Sequence, residues 1–118
     1  MLAAVFEEEG KLVLKERPKP TIKKGTDILI KVTATGICGT DLHILQKPPA
    51  HPATIGSILG HEFTGIVAEV GDNVQDFRPG DHVIIDPHPP CGQCRMCKRG
   101  DPSQCERLFV PPIPEHPK

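Results

Sequence analysis

Apolar and polar positions alternate in short runs along this chain, and the runs predict β-strands. Residues 2–6 and 11–16 are apolar-rich segments on either side of a Glu-Glu-Gly-Lys sequence, which predicts a hairpin. Between Asp27 and Ile37, apolar side chains recur at every second position, so we expect a strand with one buried face. The apolar members are Ile28, Ile30, Val32 and Ala34.

Two further strands are predicted downstream, over Phe63–Val70 and His82–Asp86. Turn sequences at 71–73 and 78–81 follow the first and precede the second. Because no amphipathic helix separates successive strands, the expected class is mainly β, an antiparallel barrel or sandwich rather than a parallel sheet.

One short helix is expected over residues 38–45, directly after the glycine that ends the 27–37 strand. Thr40 or Asp41 would be a good capping residue for it. Residues 47–56 contain three prolines and predict a loop.

Length, charge and composition limit the classes of function that this sequence can have. The chain has 118 residues, 14 basic and 15 acidic, no Trp and no Tyr. A near-neutral chain with few aromatic rings favours neither nucleic acid nor an anionic membrane surface as a partner. There is no apolar run long enough for a membrane helix and no secretory signal, so we expect a reduced, cytoplasmic protein.

Four of the five cysteines fall within fifteen residues, at Cys91, Cys94, Cys97 and Cys105. Four thiolates at this spacing suit a tetrahedral zinc ion, and an iron–sulfur cluster is the alternative for the same soft ligands. Disulfides are disfavoured, because cysteines two residues apart bridge poorly and the expected compartment is reducing. Nearby cations are expected to lower the cysteine pKa values and to offset the excess negative charge. They are Arg95, Lys98, Arg99 and Arg107.

A second candidate site combines Cys38, at the end of the first long strand, with His61, just before the next one. A thiolate and an imidazole make up half of a catalytic-type zinc site, which uses three protein ligands and leaves one position open. The alternative interpretation is structural: Cys38 would be a small buried apolar residue and His61 an ordinary loop histidine.

Together, these motifs resemble the N-terminal, GroES-like catalytic domain of the zinc-dependent medium-chain alcohol dehydrogenases. The resemblance covers about residues 1–105, and the threonine and polyol dehydrogenase branch is the nearest. It is carried by Gly-Ile-Cys-Gly-Thr-Asp-Leu-His at 36–43, Gly-His-Glu-Phe-Thr-Gly at 60–65, Phe-Arg-Pro-Gly-Asp-His-Val at 77–83 and the four-cysteine cluster. The fold that it implies is a GroES-like, partly open β-barrel with short helices and a zinc lobe over 88–107.

The resemblance implies two zinc sites. Cys38 and His61 match two ligands of the catalytic zinc, and Glu62 lies near that metal in the family. The ligands of the structural zinc match Cys91, Cys94, Cys97 and Cys105.

The resemblance also implies a reaction, which is reversible hydride transfer between an alcohol and NAD(P). Zinc polarises the alcohol oxygen while a relay matched by Thr40 and His43 removes the proton. Asp41 matches a carboxylate that orients the ligand histidine.

The sequence departs from the family after Cys105. Residues 106–118 form a proline-rich stretch that we expect to be irregular, and no Gly-x-Gly-x-x-Gly motif for a dinucleotide occurs. The chain is therefore expected to be a truncated catalytic half without a Rossmann domain, inactive by itself. Its expected partners are a small alcohol substrate and either a second copy or a chain carrying the cofactor domain. The alternative function is a non-enzymatic four-cysteine zinc module that binds a partner.

Overall fold

Five strands and three short helical segments make up the part of the chain that this computed structural model describes, residues 1–108. They are β1 (Leu2–Glu8), β2 (Lys11–Glu16), β3 (Ile28–Thr35), α1 (Gly39–Ile44), β4 (Phe63–Val70), β5 (His82–Ile84), α2 (Arg95–Lys98) and a 3-10 turn (Pro102–Gln104).

The strands form two open antiparallel sheets. β1 and β2 pair as the predicted hairpin, and the second sheet has the order β3-β4-β5. No closed barrel is present within residues 1–108. The prediction of a mainly β, partly open fold with short helices is therefore confirmed.

Strand β1 contributes most to the small buried core. Its residues Ala3, Val5 and Phe6 are buried, as are Ile44 in α1 and Val67 in β4. The chain segment 56–59 runs along the free edge of β1, where Phe6 N donates to Ser57 O at 2.8 Å. This attachment fixes the segment that leads directly into the histidine at position 61.

The expectation that β3 buries one face was wrong. Ile28 and Ile30 are half-buried, but every residue from Lys31 to Thr35 is exposed, and Val32 keeps 52% of its surface accessible. The alternation is real, yet no element among the described residues packs over this half of the strand. The end of the strand, at Ala34 and Thr35, instead borders an open hollow of about 540 Å³.

Two boundaries differ from the sequence-based expectation. Helix α1 begins after Cys38 as the capping residue, not after Thr40 or Asp41. The Asp41 carboxylate accepts a hydrogen bond from the Cys38 backbone N–H at 3.0 Å, so it acts from inside the first turn. Strand β5 ends at Ile84 rather than Asp86, although Ile85 N still donates to Phe63 O at 3.1 Å.

Two compact units divide the chain, Met1–Ile85 and the part from Asp86 onward. The domain limits expected from the sequence, 1–105 with a lobe at 88–107, remain a prediction. Most of the proline-rich stretch at 106–118 lies outside the described residues.

In the described part, no helix has the length and apolar character needed to cross a bilayer.

The turn after β4 depends on a glycine. A Cβ at Gly71 would lie 2.4 Å from the carbonyl oxygen of Gly25 and 2.6 Å from that of Lys24, and neither backbone atom can move freely. We therefore expect Gly71→Ala to lower the free energy of unfolding by about 1–3 kcal/mol, as overpacking does. Urea unfolding followed by circular dichroism measures this change. Gly39→Ala is the matched control, since its added methyl group meets no atom within 4 Å; equal stability of the two variants would contradict the argument.

Candidate metal centres

The four-cysteine lobe is built from one short helix and two turns. Cys94 caps α2, and its sulfur accepts the Cys97 N–H at 3.5 Å. Cys91 lies in the turn before the helix, and Cys105 follows the 3-10 turn. The helix places Cys94 and Cys97 on one side, three residues apart, so all four sulfurs converge.

The distances between these sulfurs fit a tetrahedral zinc ion. The Cys94 and Cys97 sulfurs lie 3.4 Å apart, those of Cys91 and Cys97 lie 4.0 Å apart, and all four fall within 4.8 Å of one another. Zinc–sulfur bonds of about 2.3 Å in a tetrahedron would separate sulfurs by about 3.8 Å. None of the cysteines is in a disulfide. The lobe is thus a four-cysteine zinc site.

Backbone N–H groups, rather than the predicted cations, do most to favour thiolates in the lobe. The Cys97 and Glu106 N–H groups lower the pKa of Cys94 to about 6, and the Gln93 and Cys94 N–H groups lower the pKa of Cys91. The expectation that cations lower these pKa values named the wrong groups. The four cationic side chains, Arg95, Lys98, Arg99 and Arg107, are all exposed, where solvent screens them.

The pKa of Cys97 shifts in the opposite direction, which indicates that its thiolate form requires a cation nearby. Burial raises the pKa of Cys97 to about 12, and the Cys94 sulfur adds to the effect. An anionic Cys97 is therefore unfavourable in this lobe without a cation nearby. A divalent metal supplies that charge and displaces the thiol proton, so the donor set fits zinc.

The second cluster forms where the end of β3 lies beside the start of β4. Thr35, the last residue of β3, pairs with Phe63, the first residue of β4. This register places Cys38, just beyond β3, next to His61 and Glu62, just before β4. One ligand atom from each of these three side chains lies within 4.8 Å of the other two.

The three side chains are accessible as well as close together. Cys38 and His61 are half-buried, and Glu62 is exposed. A thiolate, an imidazole and a carboxylate are ordinary zinc ligands, and three protein ligands leave a position for water or substrate. The cluster therefore has the composition of a catalytic-type site, whereas the lobe, with four sulfurs, is a closed one.

Asp41 links the helix to the histidine. One carboxylate oxygen accepts the Cys38 N–H, and the other lies 3.7 Å from His61 Nδ1. That second oxygen is buried and has no hydrogen-bond partner among the described residues. Because Nδ1 faces Asp41, the Nε2 atom of His61 is left for a metal.

Thr40 and His43 occupy different positions relative to the cluster. The Thr40 hydroxyl lies 3.7 Å from the Cys38 sulfur, in the first turn of α1. His43 lies one turn further along the same helix, with an exposed side chain. The structure thus places Thr40 beside the Cys38 sulfur. His43 lies three residues further along α1, with its side chain exposed to solvent.

Two features of the sites were not foreseen from the sequence. The first is the set of N–H donors to sulfur in the lobe, for which the Cys-x-x-Cys spacing is the available signal. The second is the contact of Glu62 with the end of β3, where Gly36 N donates to Glu62 O at 2.7 Å. Only the register of β3 against β4 reveals that contact.

The sequence profile of the alcohol dehydrogenase GroES-like domain family matches residues 24–111, more than half of the chain. The chain therefore belongs to this family, as the sequence motifs predicted.

Relatives agree with this assignment. Zinc-type alcohol dehydrogenase B of Aspergillus flavus is 43% identical over 110 residues, which are 93% of this chain and 25% of that protein. D-xylulose reductase A of Aspergillus oryzae is 33% identical over 117 residues, 98% of this chain and 33% of that protein. The solved alcohol dehydrogenase TADH of Thermus sp. ATN1 superposes with a TM-score of 0.79 at 42% identity, covering 91% of this chain and 30% of its own. The chain thus spans about a quarter to a third of the length of these relatives.

Metal removal tests the lobe. We expect chelation of zinc to speed amide hydrogen exchange over residues 91–108 by several orders of magnitude, because a structural zinc contributes on the order of 10 kcal/mol to local folding. Exchange in the β1–β2 hairpin, which carries none of the candidate ligands, serves as the internal control and should change much less. Unchanged protection of the lobe after complete zinc loss would contradict the assignment.

Proposed function

We propose that this chain is the zinc-binding catalytic half of an NAD(P)-dependent alcohol or polyol dehydrogenase. The observation that carries the proposal is the convergence of Cys38, His61 and Glu62 at the adjoining ends of β3 and β4, in a member of the GroES-like family. The names of its relatives, a zinc-type alcohol dehydrogenase and a D-xylulose reductase, support the reaction class.

Three side chains would hold the catalytic zinc: Cys38 through its sulfur, His61 through a ring nitrogen and Glu62 through its carboxylate. A thiolate and a carboxylate balance the two positive charges of zinc. When bound, the metal supplies Lewis-acid chemistry toward the oxygen of an alcohol. The open side of the cluster is where that oxygen would enter.

Neighbouring residues would orient the ligands and move the proton. Asp41 accepts the Cys38 N–H, and its other oxygen, 3.7 Å from His61 Nδ1, would orient the imidazole. The Thr40 hydroxyl is the nearest group that can take a proton from the alcohol, and His43, exposed on the same helix, would pass the proton to water.

Hydride acceptance would need a dinucleotide site, and the Gly-x-Gly-x-x-Gly motif typical of such a site does not occur in the sequence. The partner that completes the reaction is therefore a cofactor-binding domain, on this polypeptide or another one. All five cysteines are free of disulfides, which supports the proposed cytosolic location.

Activity of the 118-residue chain gives the first test. We expect no reduction of NAD or NADP above the protein-free rate with a panel of primary alcohols, secondary alcohols and polyols, because hydride has no bound acceptor. Absorbance at the nicotinamide band measures it. Sustained turnover that is lost in Cys38→Ser would contradict the proposed incompleteness.

Zinc stoichiometry gives the second test, by native mass spectrometry. We expect two zinc ions per chain, one of them lost in Cys38→Ser and the other lost in Cys97→Ser. The two variants are matched controls, since each removes a single thiolate from a different cluster. A single zinc that survives Cys38→Ser and is lost in Cys97→Ser would overturn the catalytic site and favour a non-enzymatic zinc module.

A further inference from the structure

We infer that Gly36 is a positioning residue for Glu62, and that the absence of a side chain at position 36 lets the Glu62 carboxylate reach the Cys38–His61 cluster. The inference rests on the proposed function, because it concerns the third ligand of the same zinc site. It assigns a role to a residue outside the set of metal ligands and proton carriers.

The backbone of Glu62 is held at the end of β3 by a hydrogen bond from Gly36. Gly36 N donates to Glu62 O at 2.7 Å, and the Thr35 hydroxyl lies 3.2 Å from this carbonyl and 3.2 Å from that of Gly36, so the two carbonyls share its one proton. These contacts continue the β3–β4 ladder by one residue beyond the Thr35–Phe63 pair. The main chain at position 62 is therefore fixed relative to the Cys38 side of the site.

The side chain of Glu62 then folds back over Gly36. A Cβ built at position 36 would lie 3.1 Å from Glu62 Oε2 and 3.6 Å from Glu62 Cβ. The first distance is shorter than an ordinary van der Waals contact, whereas the second is normal. A methyl group at this position would press on the carboxylate and leave the rest of the residue in place.

Gly36 has no backbone reason to be glycine. Its φ angle lies outside the left-handed region, so alanine can adopt the same conformation. The Glu62 carboxylate is the end of a flexible side chain and can shift by a few tenths of an ångström at low cost. The predicted consequence of Gly36→Ala is thus a displaced carboxylate in a folded chain.

A displaced carboxylate weakens a metal site without abolishing it. Groups that orient a ligand typically change metal affinity by about 10- to 100-fold when they are altered. Because the displacement here is small, we expect Gly36→Ala to weaken zinc at the Cys38 cluster by about tenfold. The four-cysteine lobe, which does not use Glu62, keeps its affinity.

The experiment titrates the 118-residue chain with zinc buffered by a chelator and counts bound ions by native mass spectrometry. Gly36→Ala is compared with Gly39→Ala, an identical substitution three residues away whose methyl group meets nothing within 4 Å. The expected result is tenfold weaker binding of one ion in Gly36→Ala only. Equal affinities in wild type and Gly36→Ala would overturn the inference.

A double-mutant cycle shows whether the effect passes through the carboxylate. In a Glu62→Ala background, Gly36→Ala should cause no further loss of zinc affinity. A tenfold loss that persists in that background would mean that position 36 acts on the backbone or on Cys38 instead, and would overturn the inference.

One measurement that needs no metal at the Cys38 cluster separates this inference from the proposed function. If wild type binds a single zinc that survives Cys38→Ser, the proposed catalytic site fails, and the Gly36–Glu62 contact is decided by NMR of the zinc-loaded lobe form. Gly36→Ala should then shift the carboxyl carbon signal of Glu62, and Gly39→Ala should leave it unchanged. An unshifted signal in Gly36→Ala would overturn the contact itself.

Discussion

The pairing of β3 with β4 is the constraint on which the candidate catalytic site depends. Its register sets Thr35 against Phe63, and the ladder continues through the Gly36–Glu62 hydrogen bond. A slip by one residue would turn every side chain to the opposite face and separate the thiolate from the imidazole. The relative positions of the site residues are therefore set mainly by the pairing of these two strands.

The Asp41 carboxylate lies close to both Cys38 and His61. Its carboxylate closes the first turn of α1 on the Cys38 N–H and faces His61 with its other oxygen. One side chain thus caps the start of the helix and lies beside the imidazole. The hydrogen bond from Cys38 offsets part of the cost of burying this carboxylate.

Much of this arrangement follows from local sequence patterns. Alternation predicted β3 and β4, and the apolar runs around the turn at 8–11 predicted the hairpin, because period-two patterning and turn residues act over few positions. The four-cysteine site was equally predictable, since its ligands lie within fifteen residues. Burial was harder: Val32 has the pattern of a core residue and is exposed, because covering it requires a distant element that no local pattern encodes. The Gly36–Glu62 contact is of the same kind, as it depends on pairing across 26 positions of sequence.

The lobe differs from the sheet in how its contacts are distributed along the chain. Every sulfur in it comes from residues 91–105, whereas β3 and β4 pair residues separated by as many as 42 positions, from Ile28 to Val70. Closing a short loop costs less chain entropy and is faster than assembling distant strands. The four sulfurs of the lobe can therefore converge before the distant strands have paired, so the lobe does not depend on the sheet for its ligand geometry.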